Sequence, residues 1–155
     1  MSAPFQHIAC CLEHESNASK QSLDEARRLR ALGPGRLTLV HVVAPPVVYP
    51  ALPGSGVQTW YPDPTEFRES AMEWLLRVAV DGEETVVLDG PAAAAVCSWE
   101  ATTDVDLLVA ASHRGLLDRA LLGSFAGYLG RHSPCAVLLV RPVTERTGPG
   151  VVSAA

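Results

Sequence analysis

Five consecutive apolar residues, Leu107 to Ala111, stand between Asp106 and the polar loop Ser112-His113-Arg114-Gly115. The run is too short for a typical helix and has no polar alternation. It reads as a strand buried on both faces, the kind a parallel sheet contains. Similar runs occur at Phe5 to Leu12, Leu37 to Val43, Thr85 to Leu88 and Ala136 to Val140. After Leu107 to Ala111 the chain passes through Gly123-Ser124 into a segment with Phe125, Tyr128 and Leu129 at helical spacing, and Pro134 stops it. The order strand, loop, helix, strand predicts a right-handed crossover. Free backbone N–H groups of that loop and of the helix start would face the carboxyl edge of the sheet, where an anion can sit.

The remaining intervals read as helices. Ser19 to Leu32 places Leu23, Ala26, Leu29 and Leu32 near one face, and Gly33-Pro34-Gly35 ends it. Its acids, Asp24 and Glu25, precede Arg27, Arg28 and Arg30, the order the helix macrodipole favours. Asp63 is the expected N-cap of a second helix, with Pro64 at its first position and Glu66 placed for a capping box. Phe67, Ala71, Trp74, Leu75 and Val78 form its apolar stripe, and Asp81-Gly82 closes it. Asp89-Gly90-Pro91 opens an alanine-rich helix running through Ala101. The alternation β-α-β-α-β-α-β-α-β implies an α/β fold built on a parallel sheet of five strands. One interval breaks the pattern. Ala44 to Pro62 holds Pro45, Pro46, Pro50, Pro53 and Pro62 and reads as a long loop, with Trp60 and Tyr61 expected to fold back onto the domain.

Gly123-Ser124 and the tail Ser133-Pro134-Cys135-Ala136-Val137-Leu138-Leu139-Val140-Arg141 resemble the C-terminal part of universal stress proteins. Many members carry G-x2-G-x9-G-[S/T], then a helix leading to an apolar strand introduced by proline. The glycine-rich front half differs here. With Gly115 as the second glycine, Ser112 stands at the first and seven residues precede Gly123; with Ala111 and Arg114 at those positions, eight do. The resemblance implies a single-domain Rossmann-like open sheet, in strand order 3-2-1-4-5, with helices on both faces. It also implies an adenine nucleotide, ATP with Mg2+, at the point where the strand order reverses. Glu13 takes the place of the aspartate that ends the first strand in nucleotide-binding members, and His14 that of the usual glycine. Val42 matches the residue that lies against the base. Ser112, His113, Arg114, Gly115, Gly123, Ser124 and Phe125 complete the implied nucleotide site. Members commonly pair the last strand with its counterpart in a second subunit, so a homodimer through Ala136 to Val140 is expected.

At 155 residues the chain fits one domain, expected over residues 1–142, with 143–155 as a loosely ordered tail around Gly148-Pro149-Gly150. A net charge of −5 argues against nucleic acid as a partner. Within Asp106 to Arg141 four arginines oppose two aspartates, a local excess of cations beside the glycine-serine loop. No apolar run is long enough to span a membrane and no signal-type leader opens the chain, so the expected location is the cytoplasm. The four cysteines, Cys10, Cys11, Cys97 and Cys135, form no C-x-x-C pair and read as reduced core residues, with Cys10 and Cys11 on opposite faces of one strand.

Catalytic signals are missing from the sequence. It has no G-x-x-x-x-G-K-[ST], its sole lysine is Lys20, and it has no G-x-S-x-G elbow. The histidines show no zinc spacing, and His7 and His41, on predicted strands, read as structural. No catalytic residue and no metal ligand is assigned. Two alternatives to a nucleotide-binding signalling module stay open. One is an interaction module of the same fold with no nucleotide, and the other is a slow ATP hydrolase.

Overall fold

The computed structural model describes residues 5–14, 16–44, 63–112 and 125–143. Nine elements alternate along them: β1 (His7–Cys11), α1 (Asn17–Arg30), β2 (Arg36–Val43), α2 (Pro64–Val78), β3 (Glu83–Asp89), α3 (Ala92–Glu100), β4 (Leu107–Ala111), α4 (Phe125–His132) and β5 (Ala136–Val140). The strands form one parallel sheet in the order β3-β2-β1-β4-β5. The expected proline-rich loop and the expected tail fall on 45–62 and 144–155, outside the described residues.

Strand parity divides the core into two layers. Ile8, Cys10, Leu37, Leu39, Leu107 and Val109 face α1 and α2, where Leu23, Ala26, Ala71 and Leu75 meet them. Ala9, Val40, Leu108 and Ala110 face α3 and α4, where Val96, Cys97 and Leu129 meet them. Because side chains alternate along a strand, Cys10 enters the first layer and Cys11 packs against the second. All four cysteines are free. Burial pushes the Cys11 thiol well above its ordinary value, and neighbouring Cys10, Glu100, Cys97 and Cys135 add to the effect. Burial also raises Cys135, to about 11, against an opposing hydrogen bond from Ser133. Neither is a thiolate near neutral pH.

The α1 side approaches the sheet through small residues. Ala18, Ser19, Ser22, Leu23 and Ala26 are its buried positions, and Ser22 Oγ satisfies itself by donating to the Ala18 carbonyl at 3.0 Å. Ser16 caps the helix by accepting the Ser19 N–H. Two expectations about apolar faces need correction. Leu32 lies beyond the last turn, which ends at Arg30, and is 67% exposed. Phe67 sits in the first turn of α2, ahead of its buried positions Ala71 and Leu75, and is 44% exposed. Asp63 does cap α2, accepting the Thr65 N–H at 2.9 Å, with Pro64 first in the helix.

At the amino ends of the strands a polar network joins sequence-distant segments. His7 is buried, with Nδ1 2.8 Å from Asp104 Oδ1 and Nε2 2.8 Å from Thr38 Oγ1. Arg36 reaches the same Asp104 carboxylate, and Asp106 accepts the backbone N–H groups of Gln6 and His7. On the second face Glu100, at the end of α3, accepts hydrogen bonds from Ser133 Oγ and Cys135 Sγ, tying α3 to the entry of β5. His41 of β2, the other histidine read as structural, pairs through Nδ1 with the Leu12 carbonyl at 2.8 Å.

The strongest polar tie on the first face is a two-pronged ion pair. Arg27 of α1 donates from Nε to Glu83 Oε1 at 2.7 Å and from Nη2 to Oε2 at 2.9 Å, and Nη2 also donates to the Val78 carbonyl. The Glu83 side chain is fully buried, and Val80 N–H donates to it as well. Burial alone would raise this carboxyl. The hydrogen bonds from Arg27 and Val80 outweigh it and hold Glu83 below the ordinary carboxylate range. Removing the arginine leaves a buried charge short of partners, so Arg27→Ala should cost roughly 2–4 kcal/mol at pH 7. A group held low in the folded state contributes stability above its unfolded value, about 4.3, and loses it as pH falls through the folded value. Urea unfolding should therefore show the gap between wild type and Arg27→Ala closing below about pH 4. A gap that stays constant down to pH 3 would contradict this account.

Candidate functional site

β1 and β4 are neighbours, yet the chain leaves them toward opposite faces, into α1 and toward α4. Their carboxyl ends therefore diverge and leave a crevice, the usual ligand position in an open parallel sheet. Leu12 N–H donates to the Val40 carbonyl at 2.8 Å and carries the β1 ladder one residue further. The chain then turns at Glu13, whose N–H donates to Ser19 Oγ at 2.8 Å. At the end of β4, Ser112 N–H donates to the Val140 carbonyl at 2.8 Å. Gly90 N–H donates to the Val43 carbonyl and holds the start of α3 against the end of β2.

On the α3/α4 face these ends enclose a cavity of about 350 Å3. Val40 and Val42 of β2, Cys11 of β1, and Ala110 and Ala111 of β4 form its floor. Phe125, first residue of α4, and Ala92, first of α3, also line it. Glu13 and Ser19 bring the polar groups, a carboxylate and a hydroxyl. The volume is at the lower end of small-molecule sites, about 300–1,000 Å3, and the mostly apolar lining with few polar groups is their usual chemistry. The Glu13 carboxylate can accept hydrogen bonds from sugar hydroxyls.

Of the residues expected from the sequence, Glu13, Val42 and Phe125 come together around this cavity. Ser112 does not line it; its side chain is buried at the end of β4. His113, Arg114, Gly115, Gly123 and Ser124 lie outside the described residues. Sequence reasoning passed over Cys11, Ser19, Ala92, Ala110 and Ala111. The two β4 alanines are where an otherwise leucine-rich strand becomes small at its carboxyl end, and that shift in size is what opens the floor. The cavity thiol, Cys11, is protonated at neutral pH for the reason given above and supplies no nucleophile. Among the described residues no group of three histidine, cysteine, aspartate or glutamate side chains could hold a metal ion.

A family model described as the universal stress protein family matches residues 4–141. No curated protein matches the chain. Among solved structures, the universal stress protein UspA from Lactobacillus plantarum superposes with a TM-score of 0.65 at 17% identity, covering 90% of this chain and all of its own. A universal stress protein in complex with cAMP gives 0.59 at 20% identity, over 90% of this chain and 98% of that one. A universal stress protein family protein from Arabidopsis thaliana with AMP bound gives 0.57 at 15% identity, over 94% and 97%. At such identities the superpositions speak for the fold.

Proposed function

The chain belongs to the universal stress protein family, and from that premise we propose that it binds an adenine nucleotide, ATP foremost, in the crevice between β1 and β4. The observation that carries the reading is the 350 Å3 cavity, with Val42 and Phe125 about an apolar slot and Glu13 at its polar end. Two structural neighbours carry AMP or cAMP, which supports an adenine nucleotide as the class of ligand. In this proposal the base lies against Val42 and Phe125, and Glu13 accepts from the ribose hydroxyls. The extra methylene of glutamate over aspartate is absorbed by a side chain that is exposed at the turn. The phosphates go to Ser112, His113, Arg114, Gly115, Gly123 and Ser124, where glycine backbone and cationic side chains suit an anion. Mg2+ accompanies them as counter-charge.

We read the protein as a binding and signalling module in which nucleotide occupancy sets conformation or partner choice. Its four free cysteines suit a reducing compartment, and we place it in the cytoplasm.

Denaturing the purified protein and analysing the supernatant by chromatography should release adenine nucleotide. Protein stripped of nucleotide should give a saturable heat with ATP and Mg2+, and Glu13→Ala should weaken it by about tenfold. No released nucleotide, together with no heat from ATP or AMP, would end this reading.

We propose further that the protein is a homodimer joined along β5. Among the described residues β5 has a neighbour on one side only, and none of its residues is fully buried, with Leu139 37% exposed. Such an apolar edge invites a partner strand. Val140 accepts from Ser112, just past the end of β4, so the N–H and C=O groups of Val140 and Leu138 point inward and those of Leu139 point outward. Leu139→Pro thus removes an outward donor and spares the β4 ladder. Light scattering should give twice the 16.5 kDa chain mass for wild type and the single-chain mass for folded Leu139→Pro. A strictly monomeric wild type at micromolar concentration would contradict it.

A further inference from the structure

A second cavity, also about 350 Å3, lies on the opposite face of the sheet's carboxyl edge, between α1 and α2. Leu12, Leu23, Trp74 and Val78 line its interior, so it is an apolar and aromatic recess. Its rim differs in kind. Ser16 is the N-cap of α1, Ser19 and Lys20 lie in its first turn, and Glu13 comes from the turn that precedes it. A cation and an anion therefore share the mouth of one apolar hollow. Lys20 is the sole lysine of the chain.

The recess is held in shape. His41 is fixed by its bond to the Leu12 carbonyl and stands edge-on to Trp74, ring centroids 5.3 Å apart. His14 packs against the same indole at 5.0 Å. Two imidazoles thus pack against the Trp74 wall. At the rim, Ser19 Oγ accepts the Glu13 N–H and Ser16 Oγ accepts the Ser19 N–H. Each hydroxyl then has its own hydrogen to donate.

We propose that this second cavity binds a free α-amino acid with a large apolar side chain. The side chain lies in the recess against Trp74, Leu23 and Val78. The carboxylate meets the Lys20 ammonium with the Ser16 and Ser19 hydroxyls. The ammonium meets Glu13, whose two oxygens have lone pairs for more than one donor. The paired charges are what select the class. A phosphate or a dicarboxylate brings excess negative charge against Glu13, a simple amine offers Lys20 no anion, and an uncharged apolar compound engages neither charge. The small volume excludes peptides of any length. The recess lies on the other face of the sheet from the nucleotide cavity and shares Leu12, Glu13 and Ser19 with it, so the two ligands would draw on the same Glu13 carboxylate.

The test uses the full chain stripped of nucleotide, so that its outcome is independent of the nucleotide reading. Calorimetry with L-phenylalanine and L-leucine, followed in parallel by tryptophan fluorescence, should show saturable binding of one molecule per chain. 3-Phenylpropionate lacks the ammonium and phenethylamine lacks the carboxylate; each should bind at least about tenfold more weakly than phenylalanine. Lys20→Ala, at an exposed position where folding is safe, should weaken the amino acid by a similar factor, and Trp74→Phe should remove most of the fluorescence response. No saturable binding of either amino acid at millimolar concentration would overturn the proposal. So would 3-phenylpropionate binding as tightly as phenylalanine, or affinity untouched by Lys20→Ala.

Discussion

The structure depends on one reversal. Going from β1 to β2 to β3 the chain moves one way across the sheet, and from β4 to β5 it moves the other way. Right-handed crossovers then force α1 and α2 onto one face and α3 and α4 onto the other. β1 and β4 are hydrogen-bonded neighbours whose continuations part company, and no helix can cover the gap at their carboxyl ends. Both cavities follow from this. One lies toward α3 and α4 and the other toward α1 and α2, with the turn at Leu12 and Glu13 as the partition between them.

Rigidity is concentrated away from that edge. The amino ends of the strands are cross-linked by the His7, Thr38 and Asp104 contacts and by the Asp106 carboxylate on two backbone N–H groups. Arg27 and Glu83 fasten α1 to the end of α2 and the start of β3, and Glu100 with Ser133 and Cys135 does the same for α3 and β5. Each of these ties sits at or near the end of the sheet opposite the cavities. The carboxyl edge carries the turn at Glu13 and the chain's exit from β4 after Ala111, as a scaffold that presents loops for binding requires.

The sequence made the strands and helices legible because both-face burial leaves runs of apolar residues and helix caps leave fixed residue types. Asp63-Pro64 and the five apolar runs are cases in point. Strand order was not legible in periodicity, since any β-α-β series permits several orders; it came from the likeness of residues 123–141 to a known family, and the structure has that order. Leu32 and Phe67 were misjudged because spacing reports which face a residue occupies, not whether the helix reaches the core there. Glu13, Val42 and Phe125 were legible as site residues by family position. Ala110, Ala111 and Ala92 were not, because a cavity is made by side chains that are too small, and a small apolar residue in a strand looks like ordinary core. The Lys20–Trp74 recess joins α1 to α2 across more than fifty residues, a distance no motif spans.

The central claim is that the β1/β4 crevice on the α3/α4 face is where the nucleotide sits. Backbone amide NMR shifts on titration with ATP and Mg2+ test it most directly, because they report position residue by residue. The account predicts the largest changes at Glu13, at Val42 to Ala44 and at Ala110 to Ser112, with Phe125 following and the amino ends of the strands unmoved. Changes confined to Trp74, Val78 and the rest of the α1/α2 face, or no changes at saturating ATP, would contradict it.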